Sequence, residues 1–422
     1  MPEQDAKTLL MVVHGTYPVD PRVAREARVA QAEGFEVDVI ALRGPGQPRT
    51  DVVEGSRVVR LPVPSFSRLR LGPVVGEYIL FTFLASVRAA LLHSRRRYDV
   101  VQVHNPPDFL MAAALLPKLA GSGVVFDIHD LSSDMFSMRF GNMPFPSLFA
   151  RALNEVERLA AHLSNAVITV HAPYRRELER RGVNPSKITV VMNSVDEALL
   201  PSTAPPPEGP GSGFRIVYHG SLTPHYGVEL LVRAASELRA EVPGLCLEIF
   251  GQGDAAARIA QATTELGFES HVSLVSSFLP QVEVLERIQG ASVGVVPNLP
   301  WQINRFALSS KLLECVALGI PVVAADLPTL REHFSSDEVR YFTAGDQSAL
   351  AEALLDVARD PQAARTRARA ALARYSEYRW EVSARRYARV LERVRGGKRA
   401  RGWVRRRPSQ SSRPDPSVSS PG

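Results

Sequence analysis

The sequence contains very little cysteine. Cys246 and Cys315 are the only two cysteines among 422 residues, and each lies in an apolar run. Two thiols so far apart provide neither the disulfide framework of a small secreted protein nor the ligand set of a zinc site. We therefore expect a chain that works in a reducing compartment such as the cytoplasm.

Long apolar runs and an export signal are also missing. The longest apolar stretch, residues 78–87, is about ten residues long, whereas a membrane-spanning helix needs about 20. Residues 1–8 lack a basic region followed by an apolar stretch and a cleavage site. The sequence therefore predicts neither a transmembrane helix nor a signal peptide.

Most of the chain lacks an excess of positive charge. The net charge is +6, but residues 393–422 carry nine Lys or Arg and one acid, Asp415, so the remainder has a net charge of −2. We expect residues 396–422 to form a basic, disordered tail. Because the basic charge is confined to this tail, nucleic acid is not an expected partner.

The sequence does contain an alternation of short apolar runs with helical stretches. Residues 9–13 have the composition of a buried parallel strand. Asp20 and Pro21 are typical of the start of a helix, and Gly34 is typical of its end. Another apolar run at 37–40 completes a βαβ unit.

This alternation occurs twice, on either side of a segment rich in proline and glycine. Residues 201–213 read PSTAPPPEGPGSG and mark a linker. The two series predict the α/β fold class, with two Rossmann-like, doubly wound parallel-sheet domains at 1–200 and 214–375. Ligands of such sheets bind beyond the carboxyl ends of the strands, so the cleft between the domains is the expected site.

Two glycine-bearing loops follow neighbouring strands of the second series. Gly220 lies in HGSLTPHYG, while Gly251 and Gly253 lie in FGQGD, and each loop stands between a strand and a helix. Backbone N–H groups at the start of a helix bind phosphate groups. A plain loop with glycines in tight turns explains the same residues, so both interpretations stay open.

A third candidate is SSKLLE, residues 309–314, at the start of a predicted helix. Ser310 can cap the helix, and Lys311 lies in the first turn, where the helix dipole disfavours a cation unless an anion is nearby. Glu314 lies on the same face three residues later. A surface ion pair explains this spacing too, but the apolar residues that follow favour a charged pair that points into the cleft.

Polar side chains also follow two strands of the first series. His104 and Asn105 follow one strand, His129 and Asp130 follow the next, and Asp134 lies just beyond. Such side chains can orient a hydroxyl group or stabilise developing charge, although a single buried histidine is usually structural. No HExxH, paired CxxC or DxD-like motif accompanies them, so the sequence predicts no metal ion.

These motifs, taken in order, resemble the retaining glycosyltransferase family 4, whose members have the two-domain GT-B fold. The resemblance covers about residues 8–392. Its elements are VVHGTYPVDPRVAREA, YDVVQVHNPPDFL, FDIHDLSSDM, VITVHAPYRRELERRGV, HGSLTPHYGVELL, IFGQGD, ASVGVVPN and SSKLLECVALGIPVV.

The resemblance implies an enzyme that moves a sugar from a nucleotide-diphosphate sugar to a hydroxyl acceptor, with retained anomeric configuration and without a cofactor. The donor would bind the C-terminal domain, and a glycan or lipid-linked acceptor would bind the N-terminal domain. A last helix, residues 376–395, would cross back to the N-terminal domain.

Individual residues match the motifs of the family. Glu314 matches the glutamate that holds the donor ribose, and His129 matches the histidine near the transferred sugar. Gly15 lies in the loop that faces the diphosphate, and Gly251 and Gly253 match the nucleotide-side loop. The expected catalytic residues are His129, Asp130 and Lys311, further donor contacts are Gly220, Ser221, His225 and Ser310, and the acceptor contacts are His104, Asn105 and Asp134.

Three positions depart from the family pattern. The usual diphosphate-binding Arg and Lys fall on Ser221 and Tyr226, and the first of two glutamates falls on Phe306. The candidates that replace the missing positive charge are Lys311, Arg305 and, when protonated, His225.

Two other functions fit the same resemblance. A nucleotide-sugar epimerase of the same fold would convert the donor without any acceptor. A non-catalytic homologue would bind nucleotide or glycan and turn nothing over.

An anionic membrane surface is a further expected partner. Residues 66–71 and 95–97 place basic side chains on both sides of an apolar helical stretch predicted at 74–92, and the basic tail adds attraction. A helix packed on its own sheet explains the same pattern. The expected location is cytoplasmic and peripheral at the inner face of the plasma membrane.

Overall fold

The computed structural model describes residues 6–64, 71–140, 146–201 and 213–404, and it leaves out the side chains of Arg139 and of residues 397–404. It confirms the predicted fold class, because two α/β domains are built on one predominantly parallel sheet each. The predicted basic segment 66–70, most of the predicted linker (202–212) and residues 405–422 of the predicted tail lie outside the described residues.

The N-terminal sheet has eight strands, and its central strands are covered on both faces. In β1, the six residues after Lys7 are all buried, which explains the continuous apolar run in the sequence. The strands are β1 (Lys7–Val13), β2 (Phe35–Leu42), β3 (Thr50–Val53), β4 (Ser56–Leu61), β5 (Val100–His104), β6 (Gly123–Ile128), β7 (Ala166–Thr169) and β8 (Ile188–Val190), in the order β3-β4-β2-β1-β5-β6-β7-β8.

One edge of this sheet is not parallel, which the sequence analysis did not predict. β3 pairs with β4 in antiparallel register, with Val53 opposite Ser56. The two residues between them, Glu54 and Gly55, both have positive φ, +48° and +75°. Such a pair forms the tight turn whose twist matches a hairpin.

The C-terminal sheet has six parallel strands. They are β9 (Arg215–His219), β10 (Cys246–Phe250), β11 (Val272–Val275), β12 (Val293–Val296), β13 (Val322–Ala325) and β14 (Arg340–Phe342), in the order β11-β10-β9-β12-β13-β14.

Helices cover both sheets. Asp20 begins the first as predicted, since its Oδ1 accepts hydrogen bonds from the N–H groups of Arg22 (3.0 Å) and Val23 (3.3 Å). The helices are α1 (Pro21–Ala32), α2 (Leu71–Arg96), α3 (Ala112–Leu119), α4 (Ser132–Phe140), α5 (Pro146–Leu163), α6 (Ala172–Arg180), α7 (Val228–Glu237), α8 (Ala256–Glu265), α9 (Gln281–Ile288), α10 (Ser310–Ala317), α11 (Pro328–His333), α12 (Gln347–Arg359), α13 (Pro361–Tyr375) and α14 (Trp380–Val404).

Helix α2 is longer and more apolar than expected. It is 26 residues long, contains a window of 18 residues with a mean hydropathy of 1.6, and 28% of that window is buried. By length and composition alone it could cross a membrane, contrary to the sequence expectation, because small uncharged residues extend the apolar run. The helix also belongs to the domain core, since Phe81, Ala85 and Ala89 are fully buried.

Helix α14 packs on the N-terminal sheet although it follows the C-terminal domain in the chain. Tyr387, Leu391 and Val394 are buried in the same cluster as the residues of β1 and α1. A Cβ on Gly123 would lie 2.3 Å from Cγ1 of Val394, so β6 needs glycine where the helix passes. The helix continues to Val404, well beyond the end predicted at residue 395 and into the segment predicted to be disordered.

Candidate functional site

A cavity of about 240 Å³ lies between the two domains, at the carboxyl ends of both sheets. The N-terminal domain contributes residues that follow β6 and β7, and the C-terminal domain contributes the start of α10 and the end of β12. Its polar lining residues are His129, Asp130, His171, Tyr174, Asn193, Tyr226, Asn298, Ser309, Ser310 and Lys311. The structure therefore brings together three residues predicted as catalytic, His129, Asp130 and Lys311.

His129 is held by a buried carboxylate. Its Nε2 lies 2.9 Å from Oδ2 of Asp127, which is fully buried. Burial lowers the pKa of His129, but the attraction of Asp127 outweighs it, so the net pKa is raised above the usual value. The imidazolium form is thereby favoured, with Nδ1 3.9 Å from Oδ2 of Asp20.

Arg22 holds the same carboxylate, and the sequence analysis missed it. Its Nε and Nη2 donate to Oδ2 and Oδ1 of Asp127 at 3.1 and 2.8 Å, and its Nη1 donates to the Val191 carbonyl at 2.8 Å. Burial alone would raise the pKa of Asp127, but Arg22 and His129 hold it well below its usual range. His104, Asp127 and His129 lie close enough to share a metal ion. The guanidinium already supplies the positive charge there, so the cluster does not fit a metal cation.

A chain of buried polar contacts continues from Arg22 to helix α14. Arg22 Nη2 lies 3.2 Å from Oε1 of Glu26, whose Oε2 accepts a hydrogen bond from Nε2 of Gln102 at 2.6 Å. The hydroxyl of Tyr387 donates to Oε1 of Gln102 at 2.7 Å. The pKa of Glu26 is raised to about 8, chiefly by burial and then by Asp127.

His104 and Asn105, predicted to contact the acceptor, are used inside the N-terminal domain. His104 is fully buried, and its Nδ1 lies 3.0 Å from Oδ2 of Asp127. Burial lowers the pKa of His104, so the neutral ring with its proton on Nδ1 fits the site best. Asn105 donates to Asp108 and to the Asp130 carbonyl, both at 2.8 Å, and accepts from the N–H of His129. Both side chains therefore position the loop at residues 129–130 and line neither cavity between the domains, and their contact with an acceptor stays a prediction.

Asp134 lies in a second, larger cavity between the domains. This cavity has a volume of about 710 Å³ and is mostly polar in its lining residues. Asp134 pairs with Arg181 at 3.0 Å and accepts a hydrogen bond from Gln302 of the other domain at 3.2 Å. Arg305 lines this cavity and not the smaller one, so it does not supply the charge missing beside Lys311.

Lys311 is a buried cation beside aromatic rings. Its Nζ lies 3.9 Å from the centre of the Tyr226 ring and 5.4 Å from that of Tyr218. Lys311 forms no ion pair with any residue in the part of the chain that the structure describes. Burial lowers its pKa to about 8, which is the signature of a desolvated ammonium group without a full counter-charge.

Glu314 is paired, but not with Lys311 as the sequence suggested. His219 Nε2 donates to Oε2 of Glu314 at 2.5 Å, and Gln281 Nε2 donates to Oε1 at 2.9 Å. Burial is the largest single effect and raises the pKa of Glu314, but the hydrogen bonds and charges of His219, Gln281 and Lys311 together outweigh it, and the net pKa is lowered. Glu314 therefore presents a carboxylate whose orientation is fixed by β9 and α9. His219 and Gln281 escaped the sequence analysis because both positions read as ordinary strand and loop residues.

The glycine loops pack closely on each other, which agrees with the second of the two interpretations that the sequence left open. The N–H of Gly220 donates to the Phe250 carbonyl at 2.8 Å, and that of Gly251 donates to the Val275 carbonyl at 3.0 Å. A Cβ on Gly251 would lie 1.8 Å from the Gly220 carbonyl oxygen, and one on Gly253 would lie 2.2 Å from that of Leu222. These glycines let the two loops pack closely, and the N–H groups of Gly220 and Gly251 are not free to cradle phosphate.

The free N–H groups lie instead at the start of α10. Ser309 is its N-cap residue but makes no side-chain capping bond, and the first N–H groups of a helix have no partner within it. Ser310 and Lys311 line the cavity at this point. The positive end of the helix and the Lys311 ammonium group therefore converge on one place, which suits an anion.

The remaining predicted donor contacts, Gly15, Ser221 and His225, do not line the small cavity. Gly15 does not line the small cavity, and its carbonyl accepts from the Leu42 N–H at 2.8 Å. Ser221 is exposed. The pKa of His225 is lowered by burial and by Lys311, which disfavours the charged form that would replace the missing cation.

Comparison with known proteins agrees with this geometry. Residues 19–194 match the family model of the glycosyl transferase 4-like domain, and residues 213–360 match that of the glycosyl transferases group 1. The chain is 30% identical over 318 residues to a glycogen synthase of Mycobacterium tuberculosis (strain CDC 1551 / Oshkosh). These residues are 72% of this chain and 70% of that protein.

Two further relatives cover almost the whole chain. A phosphatidyl-myo-inositol mannosyltransferase of Mycobacterium leprae is 26% identical over 387 residues, 89% of this chain and 93% of that protein. The solved sucrose-phosphate synthase from Thermosynechococcus elongatus superposes with a TM-score of 0.74 at 17% identity, covering 93% of this chain and 100% of that one. The two family models cover both domains in the predicted order, so the chain belongs to glycosyltransferase family 4 and is a nucleotide-sugar-dependent glycosyltransferase with the GT-B fold.

Proposed function

We propose that the chain transfers a glycosyl group from a nucleoside-diphosphate sugar to a hydroxyl group of a glycan or lipid-linked acceptor, with retention of configuration. The observation that carries the proposal is the unpaired, buried Lys311 at the start of α10, which faces His129 and Asp130 across the small cavity. In this proposal the diphosphate lies against Lys311 and the N–H groups of Ser310 and Lys311. Glu314 holds the ribose.

The proposed chemistry is mainly electrostatic. As the bond from the sugar to the diphosphate breaks, negative charge grows on the leaving phosphate, and a preorganised cation and helix terminus stabilise it. His129, whose raised pKa favours the imidazolium form, stands on the opposite wall and donates a hydrogen bond to the transferred sugar. Asp130 is the one carboxylate among the described lining residues, and burial raises its pKa. A pair of carboxylates for a double displacement is not part of this lining.

The acceptor is proposed to enter through the larger cavity beside Asp134. Its polar lining, with Gln302 and Arg305 from the other domain, suits a hydroxyl-bearing molecule. The similarity to a phosphatidyl-myo-inositol mannosyltransferase supports a lipid-linked acceptor, and the similarity to a glycogen synthase supports a glycan.

The function is tested by assaying uridine, adenosine and guanosine diphosphate sugars, first by thermal shift and then for transfer. A ligand that binds only the folded state raises Tm, so the correct base shows the largest shift. With that donor and a panel of glycan and lipid acceptors, we expect release of the nucleoside diphosphate that depends on the acceptor. A new sugar isomer from donor alone would indicate an epimerase. Binding without turnover of any acceptor would indicate a non-catalytic homologue.

We also propose that the enzyme works at the surface of an anionic membrane, held there by α2 and α3. Val75, Ile79, Phe83, Val87 and Leu91 lie four residues apart, and all five are exposed, with Phe83 exposed to 64%. This stripe is opposite the face that packs on the core. On α3, the leucines Leu115, Leu116 and Leu119 are exposed as well.

The charges around this face are complementary to an anionic surface. The single acidic residue of α2, Glu77, is buried, while Arg95 and Arg97 are exposed at its C-terminal end. Apolar side chains beside basic ones favour the interface of an anionic bilayer. A cytoplasmic location at the inner face of the plasma membrane follows from this proposal.

Flotation with vesicles measures this contact. We expect the full chain to float with vesicles that contain about one third anionic lipid and to dissociate in part at high salt, because salt screens surface charge. The double variant Ile79→Glu/Phe83→Glu should remain unbound, whereas Leu372→Glu, which changes a leucine of the other domain that is 42% exposed, should bind like wild type. Flotation of the double variant at wild-type levels, or no binding by wild type, contradicts the proposal; concentration-dependent dimerisation through this face would assign it to a second copy.

A further inference from the structure

Two buried polar side chains in the wall of the small cavity have no partner. Asn298 is fully buried, and neither its Oδ1 nor its Nδ2 makes a hydrogen bond to the described residues. The Oγ of Ser309, which is 7% exposed, also lacks a partner. Both residues line the cavity that holds Lys311 and His129. Buried polar groups are nearly always satisfied, and one left without a partner destabilises the fold.

The position of Asn298 is fixed by its neighbours. It follows β12, and the N–H of the next residue, Leu299, donates to the His225 carbonyl at 2.9 Å. On the other side, a Cβ on Gly227 would lie 2.1 Å from the Pro297 carbonyl oxygen, so the backbone of α7 packs directly on this turn. The amide is therefore presented by a rigid support, as a binding site requires.

The chemistry of the two groups differs from that of Lys311. An amide offers two donors and an acceptor, and a hydroxyl offers one donor and two lone pairs, all without charge. Such groups match sugar hydroxyls, which also both donate and accept. Lys311 and the start of α10 match an anion instead. The cavity thus has a charged part and a neutral hydrogen-bonding part.

We infer that Asn298 and Ser309 form the subsite that recognises the hydroxyl groups of the transferred sugar and so select which sugar is accepted. This inference rests on the proposed donor site, whose diphosphate half is formed by Lys311.

The variant Asn298→Leu distinguishes a role of Asn298 in sugar binding from a role in folding. Leucine has nearly the same shape as asparagine but no polar side-chain atoms. We expect the affinity for the nucleoside diphosphate alone to stay within about threefold. The affinity for the nucleoside-diphosphate sugar should fall at least about tenfold, since one lost hydrogen bond to a well-placed site has this size. The Tm of the free protein should be unchanged or higher, because an unsatisfied buried amide is removed. Ser309→Ala should show the same pattern more weakly.

Asn304→Leu is the matched control. Asn304 is another buried asparagine of the same region, but its Nδ2 donates to the carbonyls of His225 (2.7 Å) and Leu299 (2.8 Å). Its loss should lower Tm and weaken both ligands alike. Calorimetry with uridine, adenosine and guanosine diphosphate and their glucose and mannose derivatives gives these affinities.

The possible results distinguish a failure of the proposed donor site from a failure of the inference about Asn298. If wild type binds none of these nucleotides or sugars, the proposed donor site is wrong. If wild type gains affinity from the sugar and Asn298→Leu gains it equally, only the assignment of Asn298 is wrong. A fall in Tm of Asn298→Leu with unchanged sugar affinity would show a structural amide and overturn the inference.

Discussion

Lys311→Met is expected to lower kcat/KM by a factor of about 10²–10³, the usual cost of one preorganised charge-stabilising group. Lys311 is the one lysine or arginine among the described residues lining the small cavity, and its ammonium group has no ion-pair partner there. The free protein should not lose stability, because the replacement removes a buried charge whose pKa is lowered by burial. Steady-state kinetics with the donor identified by thermal shift, together with Tm, measures both effects.

The pH dependence of kcat/KM is a second, independent test of the role of Lys311. Lys311 carries its charge below a pKa of about 8, so kcat/KM for the donor should fall as pH rises through this value. Bound diphosphate favours the charged form and should move the fall in kcat to higher pH. In Lys311→Met this part of the profile should disappear.

Arg305→Met is the control for a nearby cation of the same domain. Arg305 lies over the Phe306 ring and lines the larger cavity, so donor affinity should stay within about threefold. If Lys311→Met and Arg305→Met weaken the donor equally, the diphosphate does not lie at α10.

Arg22→Met is expected to destabilise the N-terminal domain by about 3–5 kcal/mol, which is the largest effect on stability that we predict. The change leaves Asp127, a fully buried carboxylate, without its bidentate cation. The lost hydrogen bond to the Val191 carbonyl adds to the effect. Urea unfolding followed by a probe in the N-terminal domain measures it, since the two domains need not unfold together.

The double variant Arg22→Met/Asp127→Leu is the control for this ion pair. Replacing both partners removes the uncompensated charge, so much of the lost stability should return. Activity should not return, because His129 loses the carboxylate that orients it. Destabilisation by Arg22→Met of less than about 1 kcal/mol would contradict a structural role of the pair.

The stability that the Arg22–Asp127 pair contributes depends on pH, and the direction of this dependence follows from the pKa of Asp127. Its pKa in the folded protein is lowered, so the stability from the Arg22 pair is present at pH values above its unfolded pKa of about 3.9. This contribution is lost as pH falls through the lowered folded pKa. The difference in stability between wild type and Arg22→Met should therefore shrink in acid.

The sequence correctly predicted the residues that lie at the ends of several strands and helices. Asp20 capped α1, the paired series of strands formed two sheets, and His129 and Lys311 met across one cavity. These predictions rest on local rules, because the carboxyl ends of parallel strands lie at one edge. Glu314 was expected to pair with Lys311, but its hydrogen-bond partners are His219 on β9 and Gln281 on α9, which depend on packing.

The residues that were missed depend on contacts between distant segments. Arg22 lies on a helix where an arginine is usually solvated, and its partner Asp127 is 105 residues away. Asn298 ends the family-like segment ASVGVVPN, but only the structure shows that its amide is buried and without a partner among the described residues. The sequence left two interpretations of the glycine loops open, because a glycine needed for close packing and one that cradles phosphate look alike in sequence.

Helix α14 has a consequence for how the chain is made. The core of the N-terminal domain includes Tyr387 and Leu391, and Tyr387 also satisfies Gln102 in β5. A ribosome releases these residues only after the whole C-terminal domain has been synthesised, although domains generally fold in the order of synthesis. The first domain to emerge is therefore the last to complete its core, and an isolated N-terminal half would expose an apolar groove along the sheet where the helix belongs.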